Sequence, residues 1–144
     1  MKQFSFKLDT ALKWRSAQKK TQEVLLQTLY RDQELVGKQL LTLLAEYRRA
    51  EETARFSTSC GGATLAALSR YRLAYMKVSA NLTMRFNQLA ISIEKQKSAL
   101  RNATRDYELL VKLEDREFRQ WETDYHRRVE SDAAEAFLMR WQRK

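Results

Sequence analysis

The side chains of this sequence most suited to catalysis are one histidine and one cysteine. His126 lies among Asp124, Tyr125, Arg127 and Arg128. This setting is typical of a solvated helix position rather than of a general base, which needs a pocket and a positioned substrate. We therefore assign His126 to a helix surface.

The cysteine also lacks partners. Cys60 has no second cysteine and no nearby histidine, which favours a loop residue over a nucleophile or a metal ligand. Gly61 and Gly62 follow it without the lysine and the spacing of a phosphate-binding loop. The sequence thus predicts no enzyme, no cofactor and no metal site, and a lone cysteine agrees with a reducing compartment.

The formal net charge is +9, and it is unevenly distributed. Residues 63–105 carry eight basic residues and one acidic residue, whereas residues 106–144 carry eight basic and ten acidic residues. The basic surplus fits either a solvated helix face or a surface that meets an acidic partner. Binding of nucleic acid is a weaker alternative, because no compact basic region precedes the heptads and the aromatic residues occupy seam positions.

Any functional side chain must be positioned by long helices. From Leu65 to Arg143 there is no proline and no glycine, and apolar residues recur at steps of three and four. This spacing predicts a coiled-coil seam. One side of the seam has Tyr75, Leu82, Leu89, Gln96, Ala103 and Leu110, and the other has Phe86, Ile93, Leu100 and Tyr107.

A first helix precedes this stretch, and the only strong break lies between the two. We predict a helix over about 5–55, a loop over about 56–63 and a helix over about 64–141, together forming a single domain over residues 1–144. Thr64 is the expected N-cap of the second helix. Gly37 lies within the first helix and is expected to be tolerated there at a cost of about 1 kcal/mol.

Two long helices joined by a short loop predict an all-α fold, an antiparallel coiled-coil hairpin whose longer second helix overhangs at its C-terminal end. The register pairs polar Gln22 with polar Gln96 and places Tyr47 beside Tyr71. Further expected pairs are Leu12 with Tyr107, Leu26 with Ile93, Leu29 with Leu89, and Val36 with Leu82.

We expect this hairpin to be a monomer.

The overhanging end is predicted to be a binding surface. After Tyr107 and Leu110 the apolar line changes phase and passes through Phe118, Trp121, Tyr125 and Val129. Beyond it the stretch from Ala133 to Trp141 is rich in apolar residues that the shorter first helix cannot cover.

We expect neither an N-terminal signal peptide nor a membrane span in this sequence. The first residues lack the apolar run of a signal peptide, and the longest apolar cluster, Leu40 to Ala45, is far shorter than the roughly twenty residues of a membrane span. We expect a cytoplasmic protein.

Several features together resemble the FliJ family of flagellar type III export. The N-terminal part has Phe4, Phe6, Leu8, Leu12 and Arg15 at family-like spacing. Around the loop, the resemblance includes Leu43, Tyr47, Leu68, Tyr71 and Tyr75. The charged distal helix contributes Arg128, Glu130, Asp132, Glu135 and the aromatic Phe137.

The resemblance implies a non-enzymatic central-stalk protein that inserts into a hexameric export ATPase and promotes its assembly and activity. It also implies contacts with the cytoplasmic domain of the export-gate membrane protein and with export chaperones, at the inner membrane. The implied gate-binding residues are Leu43, Tyr47, Tyr71 and Tyr75, for which mutual burial in the seam is the competing explanation. The expected ATPase-binding end comprises Arg15, Lys19, Lys20, Trp121, Arg127, Arg128, Phe137, Arg140 and Trp141.

Three other functions stay open at the level of sequence. An injection-type secretion stalk would share the fold, and a generic coiled-coil adaptor would share the heptads. A basic helical nucleic-acid-binding protein is the weakest of the three. The aromatic end left uncovered favours the stalk over a self-sufficient spacer.

Overall fold

The computed structural model describes residues 3–56 and 61–143. Helix α1 spans Asp9–Phe56 (48 residues) and helix α2 spans Gly62–Gln142 (81 residues). No strand occurs in the described ranges. The prediction of an all-helical chain with two long helices is confirmed. The predictions for Cys60 fall outside the described residues.

Helix α1 begins at Asp9, later in the chain than the expected start near residue 5. The N–H of Asp9 donates to the carbonyl of Phe6 at 3.2 Å, and the side chain of Phe6 is buried with 8% exposure. The segment before Asp9 is not helical, so the Phe6 side chain does not have to follow the direction of α1 and can be buried. The carboxylate of Asp9 then lies in the first turn, where the positive end of the helix dipole favours it.

Helix α2 begins at Gly62, so the prediction that Thr64 is its N-cap is wrong. The carbonyl of Gly61 accepts the N–H groups of Thr64 at 3.1 Å and Leu65 at 3.3 Å. Gly61 therefore accepts the first helical bonds, and Thr64 already lies inside the first turn. Glycine is an acceptable N-cap residue, although it has no side-chain oxygen that could accept a hydrogen bond from the first N–H groups of the helix.

Gly37 lies inside α1, opposite α2. A Cβ atom placed at Gly37 would lie 3.6 Å from Cε2 of Phe86, which is an ordinary van der Waals distance. The missing side chain therefore leaves a shallow gap beside the Phe86 ring. An alanine methyl would therefore fit at this position, so glycine lowers helix propensity here without relieving a clash.

The chain divides into two compact units. The terminal unit comprises Met1–Thr21 and Leu100–Lys144, and the middle unit comprises Gln22–Ala99. The expectation of a single coiled-coil domain over residues 1–144 stays a prediction.

In the middle unit, two aliphatic side chains are the most deeply buried. Val36 is 2% exposed and Ile93 is 4% exposed. The Nε2 group of Gln96 donates to the backbone carbonyl of Gln22 at 3.2 Å and to its side-chain oxygen. These contacts confirm the predicted pairing of the two polar residues. Each glutamine side chain gives the other a hydrogen-bond partner that apolar neighbours could not supply.

In the terminal unit, polar contacts join the beginning of α1 to α2. The guanidinium of Arg15 lies 3.2 Å from the carboxylate of Asp106, and both side chains are partly exposed. The ammonium of Lys19 lies 5.2 Å from the ring centre of Tyr107, within reach of a cation–π interaction. Each contact at a part-exposed site contributes on the order of 1 kcal/mol or less.

Within the described residues, neither helix contains a stretch apolar enough to cross a lipid bilayer.

Candidate functional site

Three tyrosines gather in the middle unit, and we call them the tyrosine cluster: Tyr47, Tyr71 and Tyr75. The ring of Tyr47 lies 4.2 Å from that of Tyr75 and 6.1 Å from that of Tyr71, with both pairs nearly parallel. The predicted neighbourhood of Tyr47 and Tyr71 is confirmed. Because Tyr71 and Tyr75 are four residues apart on α2, both rings lie on one face and can pack against the single ring from α1.

A polar network adjoins the tyrosine cluster. The hydroxyl of Tyr47 donates to the carboxylate of Glu51 at 2.6 Å and accepts from Nε of Arg72 at 2.9 Å. A second guanidinium nitrogen of Arg72 donates to the same Glu51 oxygen at 2.8 Å. The three side chains thus form a closed triangle in which every member contacts the other two.

This triangle changes the acidity of its members. Its hydrogen bond to Glu51 raises the pKa of Tyr47 above the ordinary 10.0. The hydrogen bond that Tyr47 donates to Glu51 lowers the pKa of Glu51 below the ordinary 4.5, and the hydrogen bond from Arg72 is the second cause. At neutral pH these shifts favour a neutral tyrosine, a carboxylate and a guanidinium, which are the states in which the three hydrogen bonds form.

The four residues implied to bind the export gate differ in exposure. Leu43, Tyr47 and Tyr75 are half-buried, whereas Tyr71 is 38% exposed. Tyr47 has both its ring and its hydroxyl engaged within the middle unit. Of the four, Tyr71 therefore offers the largest exposed fraction to a partner.

A shallow apolar groove lies next to Tyr71. Small side chains line most of it, so the surfaces of the two helices leave room between them. Its walls comprise Ala50, Thr53, Ala54, Thr64, Ala67, Leu68 and Tyr71. The groove extends the partly exposed surface beyond the tyrosine cluster.

A second aromatic group, the aromatic ladder, lies in the terminal unit and consists of Phe4, Phe118, Trp121 and Tyr125. Phe4 packs edge-on against Phe118 at 5.2 Å and contacts Trp121 at 5.9 Å. Trp121 also stacks with Phe118 at 5.9 Å and with Tyr125 at 5.4 Å. The predicted apolar line through Phe118, Trp121 and Tyr125 is thus a set of ring contacts, with Phe4 covering its beginning.

Two basic residues expected at the ATPase-binding end already have partners inside the terminal unit. Arg15 pairs with Asp106, and Lys19 lies over the ring of Tyr107. Lys20, by contrast, is exposed. The free positive charge contributed by α1 to this end is therefore smaller than the sequence alone indicates.

The last turns of α2 present the most exposed aromatic residues of the expected ATPase-binding end. Phe137 is 68% exposed and Trp141 is 74% exposed. Leu138 and Met139 between them are 57% and 63% exposed. The basic members Arg127, Arg128 and Arg140 are exposed as well. Aromatic and guanidinium groups presented together are the side chains that protein interfaces most often use as anchors.

His126 and the acidic side chains are the remaining candidates for catalysis or metal binding. His126 is exposed, and its ring lies edge-on to that of Tyr125 at 5.8 Å. In the described ranges, no group of three or more histidine, cysteine, aspartate or glutamate side chains is placed to hold a metal ion.

Sequence reasoning missed three participants: Phe4 in the aromatic ladder, and Glu51 and Arg72 beside the tyrosines. The four-residue step from Tyr47 to Glu51 was an available signal for one of these contacts. Arg72 donates across 25 positions of sequence to Tyr47, and periodicity gives no sign of such a bond. Phe4 was missed because the expected helix began too early.

Comparison with known proteins finds no matching family model, no matching curated protein and no matching solved structure.

Proposed function

We propose that this chain is a non-enzymatic central-stalk and regulatory protein of a flagellar type III export apparatus. In this proposal it inserts into the hexameric export ATPase, promotes its assembly and hydrolysis, and links it to the export gate and to export chaperones. The protein works as a monomer in the cytoplasm, peripherally associated with the inner-membrane apparatus. An injection-type secretion stalk is the nearest alternative, and a coiled-coil adaptor is the next.

The observation that carries the proposal is the exposure of aromatic side chains at the end of α2. Phe137 and Trp141 lie four residues apart, so both occupy one face of the last turns, and each is more than two-thirds exposed. Exposed rings of this size seldom stay in water without a binding role when they are contiguous with other apolar residues. Arg140 adds a positive charge on the same turns.

The finer architecture belongs to the same proposal. An antiparallel coiled coil whose C-terminal helix overhangs would make this end narrow enough to enter the hole of a ring. The pairings of Gln22 with Gln96 and of Tyr47 with Tyr71 support the antiparallel direction, because low positions on α1 meet high positions on α2.

The test is ATP hydrolysis by the purified cognate export ATPase as this protein is added, with ring assembly followed by light scattering. We expect stimulation and ring assembly by the native chain. The double variant Phe137→Ala/Trp141→Ala should raise the concentration for half-maximal stimulation at least about tenfold, because interface anchors of this kind often contribute 2 kcal/mol or more.

A matched control is Phe56→Ala, which removes an 84% exposed ring from the end of α1. This variant should stimulate the ATPase like the native chain. Absence of stimulation by the native chain at micromolar excess would contradict the stalk proposal and favour an adaptor. Equal losses in the two variants would show that the end of α2 is not the working end.

Contact with the export gate is tested separately. Tyr71→Ala removes the most exposed member of the tyrosine cluster and should weaken binding to the isolated cytoplasmic domain of the gate, measured by calorimetry. Leu41→Ala, at a 69% exposed position of α1, is the control. Unchanged affinity of Tyr71→Ala would leave the tyrosine cluster with a purely structural role.

A further inference from the structure

The outward face of α2 in the middle unit carries a second line of apolar side chains, which we call the outer stripe: Leu65, Leu73, Met76, Ala80, Met84 and Ile91. Its five large members are between 54% and 65% exposed. The packed face of the same helix is formed by other residues, among them Phe86 and the buried Ile93. Met84 and Phe86 are two residues apart, about 200° around the helix, so the two faces are distinct.

The spacing of the outer stripe is regular. Steps of four, four and three residues lead through positions 65, 69, 73, 76, 80, 84, 87 and 91, which is a repeat of eleven residues. Such a repeat advances by about 3.67 residues per turn, close to the natural period of an α-helix, so the stripe runs almost straight along α2. A straight apolar line of this kind suits a second helix lying alongside it.

Positive charge lies along one edge of the outer stripe. Residues 63–99 carry six basic residues and one acidic residue. Arg70, Lys77 and Lys95 are separated by seven and eighteen residues, about two and five helical turns, so they lie on one edge. Among the described residues, none of these three has an ion-pair partner, whereas Arg72 on the other edge is bound to Glu51.

We propose that the outer stripe binds an acidic amphipathic helix of a partner protein. The apolar face of that helix would cover Leu73, Met76 and their neighbours, and its carboxylates would meet Arg70 and Lys77. The unpaired basic edge selects this occupant, because opposite charge both steers association and fixes orientation. The proposal goes beyond the stalk function, since it uses none of the residues of the ATPase-binding end.

Two other occupants fit the stripe less well. A second copy of this chain would bring another basic edge against the first, and like charges across an interface oppose association. A lipid surface favours a wide, uninterrupted apolar face, whereas polar Ser69 and Asn87 occupy two positions within this stripe.

The test uses a designed peptide of about 30 residues, labelled with fluorescein, with leucines at the four, four, three spacing and glutamates beside them. Fluorescence anisotropy with the full chain should show micromolar binding. The variant Leu73→Gln/Met76→Gln should bind the peptide at least about tenfold more weakly, because two apolar contacts are lost. Leu41→Gln, at a 69% exposed leucine of α1, is the matched control and should bind like the native chain.

A second arm tests the charged edge. Arg70→Glu/Lys77→Glu should weaken peptide binding about tenfold and flatten its dependence on salt. A peptide of the same composition with the leucine spacing scrambled should not bind. Both variants leave the packed face of α2 untouched, and helical circular dichroism checks that they fold.

Three outcomes would overturn the proposal. The first is peptide binding that Leu73→Gln/Met76→Gln does not weaken. The second is a doubling of the molar mass in solution that this variant abolishes, which would make a second copy the occupant. The third is binding to vesicles of phosphatidylcholine and phosphatidylserine that the same variant abolishes, which would make it a lipid surface. Normal stimulation of the export ATPase by Leu73→Gln/Met76→Gln would leave the stalk proposal standing in each case.

Discussion

The middle unit and the terminal unit are stabilised by different chemistry. In the middle unit the most buried side chains are the aliphatic Val36 and Ile93, flanked by a glutamine pair and a tyrosine, glutamate and arginine triangle. In the terminal unit a non-helical segment contributes Phe6, which is buried, and Phe4, which packs against rings of α2. In the described part of the middle unit these contacts come from the two helices, whereas the terminal unit also uses the chain that precedes α1.

This difference follows from how little a pair of helices can bury. Each helix covers only one stripe of its neighbour, so few residues are fully removed from water. In the middle unit, polar clamps supplement that small core. In the terminal unit, large rings cover much area per residue, and their edge-on and stacked arrangements add to it. Individual buried residues should therefore matter more than in a globular domain.

The largest effect is expected from Ile93→Ala in the middle unit. Removing a 4% exposed isoleucine should lower the free energy of unfolding by about 2–4 kcal/mol, measured by urea titration with circular dichroism. Ile91→Ala is the matched control, because Ile91 is 59% exposed two positions away and should change stability by less than about 1 kcal/mol. Similar losses at both positions would contradict the assignment of the packed face.

The corresponding change in the terminal unit is Phe4→Ala. It removes ring contacts with Phe118 and Trp121, and the expected loss is about 1–2 kcal/mol in the opening of this unit. Amide hydrogen exchange should accelerate at residues 111–125, while exchange around Ile93 stays unchanged. The control Phe137→Ala, at a 68% exposed ring, should alter neither. Accelerated exchange around Ile93 would break the distinction between the two units.

A gain in stability is expected from Gly37→Ala in the middle unit. The new methyl would lie at an ordinary distance from Phe86, and alanine restricts the unfolded chain more than glycine, so unfolding should cost about 0.5–1 kcal/mol more. Gly62→Ala is the comparison, because nothing lies within 4 Å of its added methyl at the first residue of α2. A loss of stability in Gly37→Ala would contradict the ordinary packing distance between the added methyl and the Phe86 ring.

The smallest effect concerns the partly exposed triangle of Tyr47, Glu51 and Arg72. The pKa of Glu51 is lowered in the folded chain, first by donation from Tyr47, so its contribution is present above pH 4.5 and is lost as pH falls through the folded value. The pKa of Tyr47 is raised, so its contribution is present below pH 10.0 and is lost as pH rises through the folded value.

Urea titrations across pH should therefore show native stability falling at both extremes relative to Glu51→Gln. The variant keeps the length of the side chain but removes the charge that both partners favour. Identical pH profiles of the two proteins would mean that the triangle does not stabilise the middle unit. In the terminal unit, the variant Asp106→Asn removes the ion pair with Arg15, and urea titration at a single neutral pH measures the loss of stability.

Much of the helical organisation was predictable because it depends on local spacing. The absence of proline and the recurrence of apolar residues indicated two long helices, and the polar interruptions at Gln22 and Gln96 identified one pair of facing residues. The start of α1 was not predictable in this way. The burial of Phe6 and the packing of Phe4 on Phe118 compete with helix formation there, and both depend on residues distant in sequence.

The residue types of the candidate sites could be predicted from the sequence. Which of those side chains are left unpaired and able to bind a partner protein could not. Phe137 and Trp141 are exposed, as expected for surface residues, whereas the expected overhang of α2 beyond the first helix stays a prediction. In the sequence, Arg15 and Lys19 looked as available for a partner protein as Lys20. In the structure, the side chains of Arg15 and Lys19 each contact a residue of α2.

Residue types and their spacing were enough to predict that this chain is helical, where its apolar seam runs and that its positive charge is concentrated in residues 63–105. These properties follow from backbone hydrogen bonds and side-chain spacing within a few turns. Contacts between the two helices determine which basic residues are paired, which tyrosine is engaged and which apolar stripe stays exposed. Such choices depend on contacts between residues as far apart as Arg15 and Asp106, which no local period encodes.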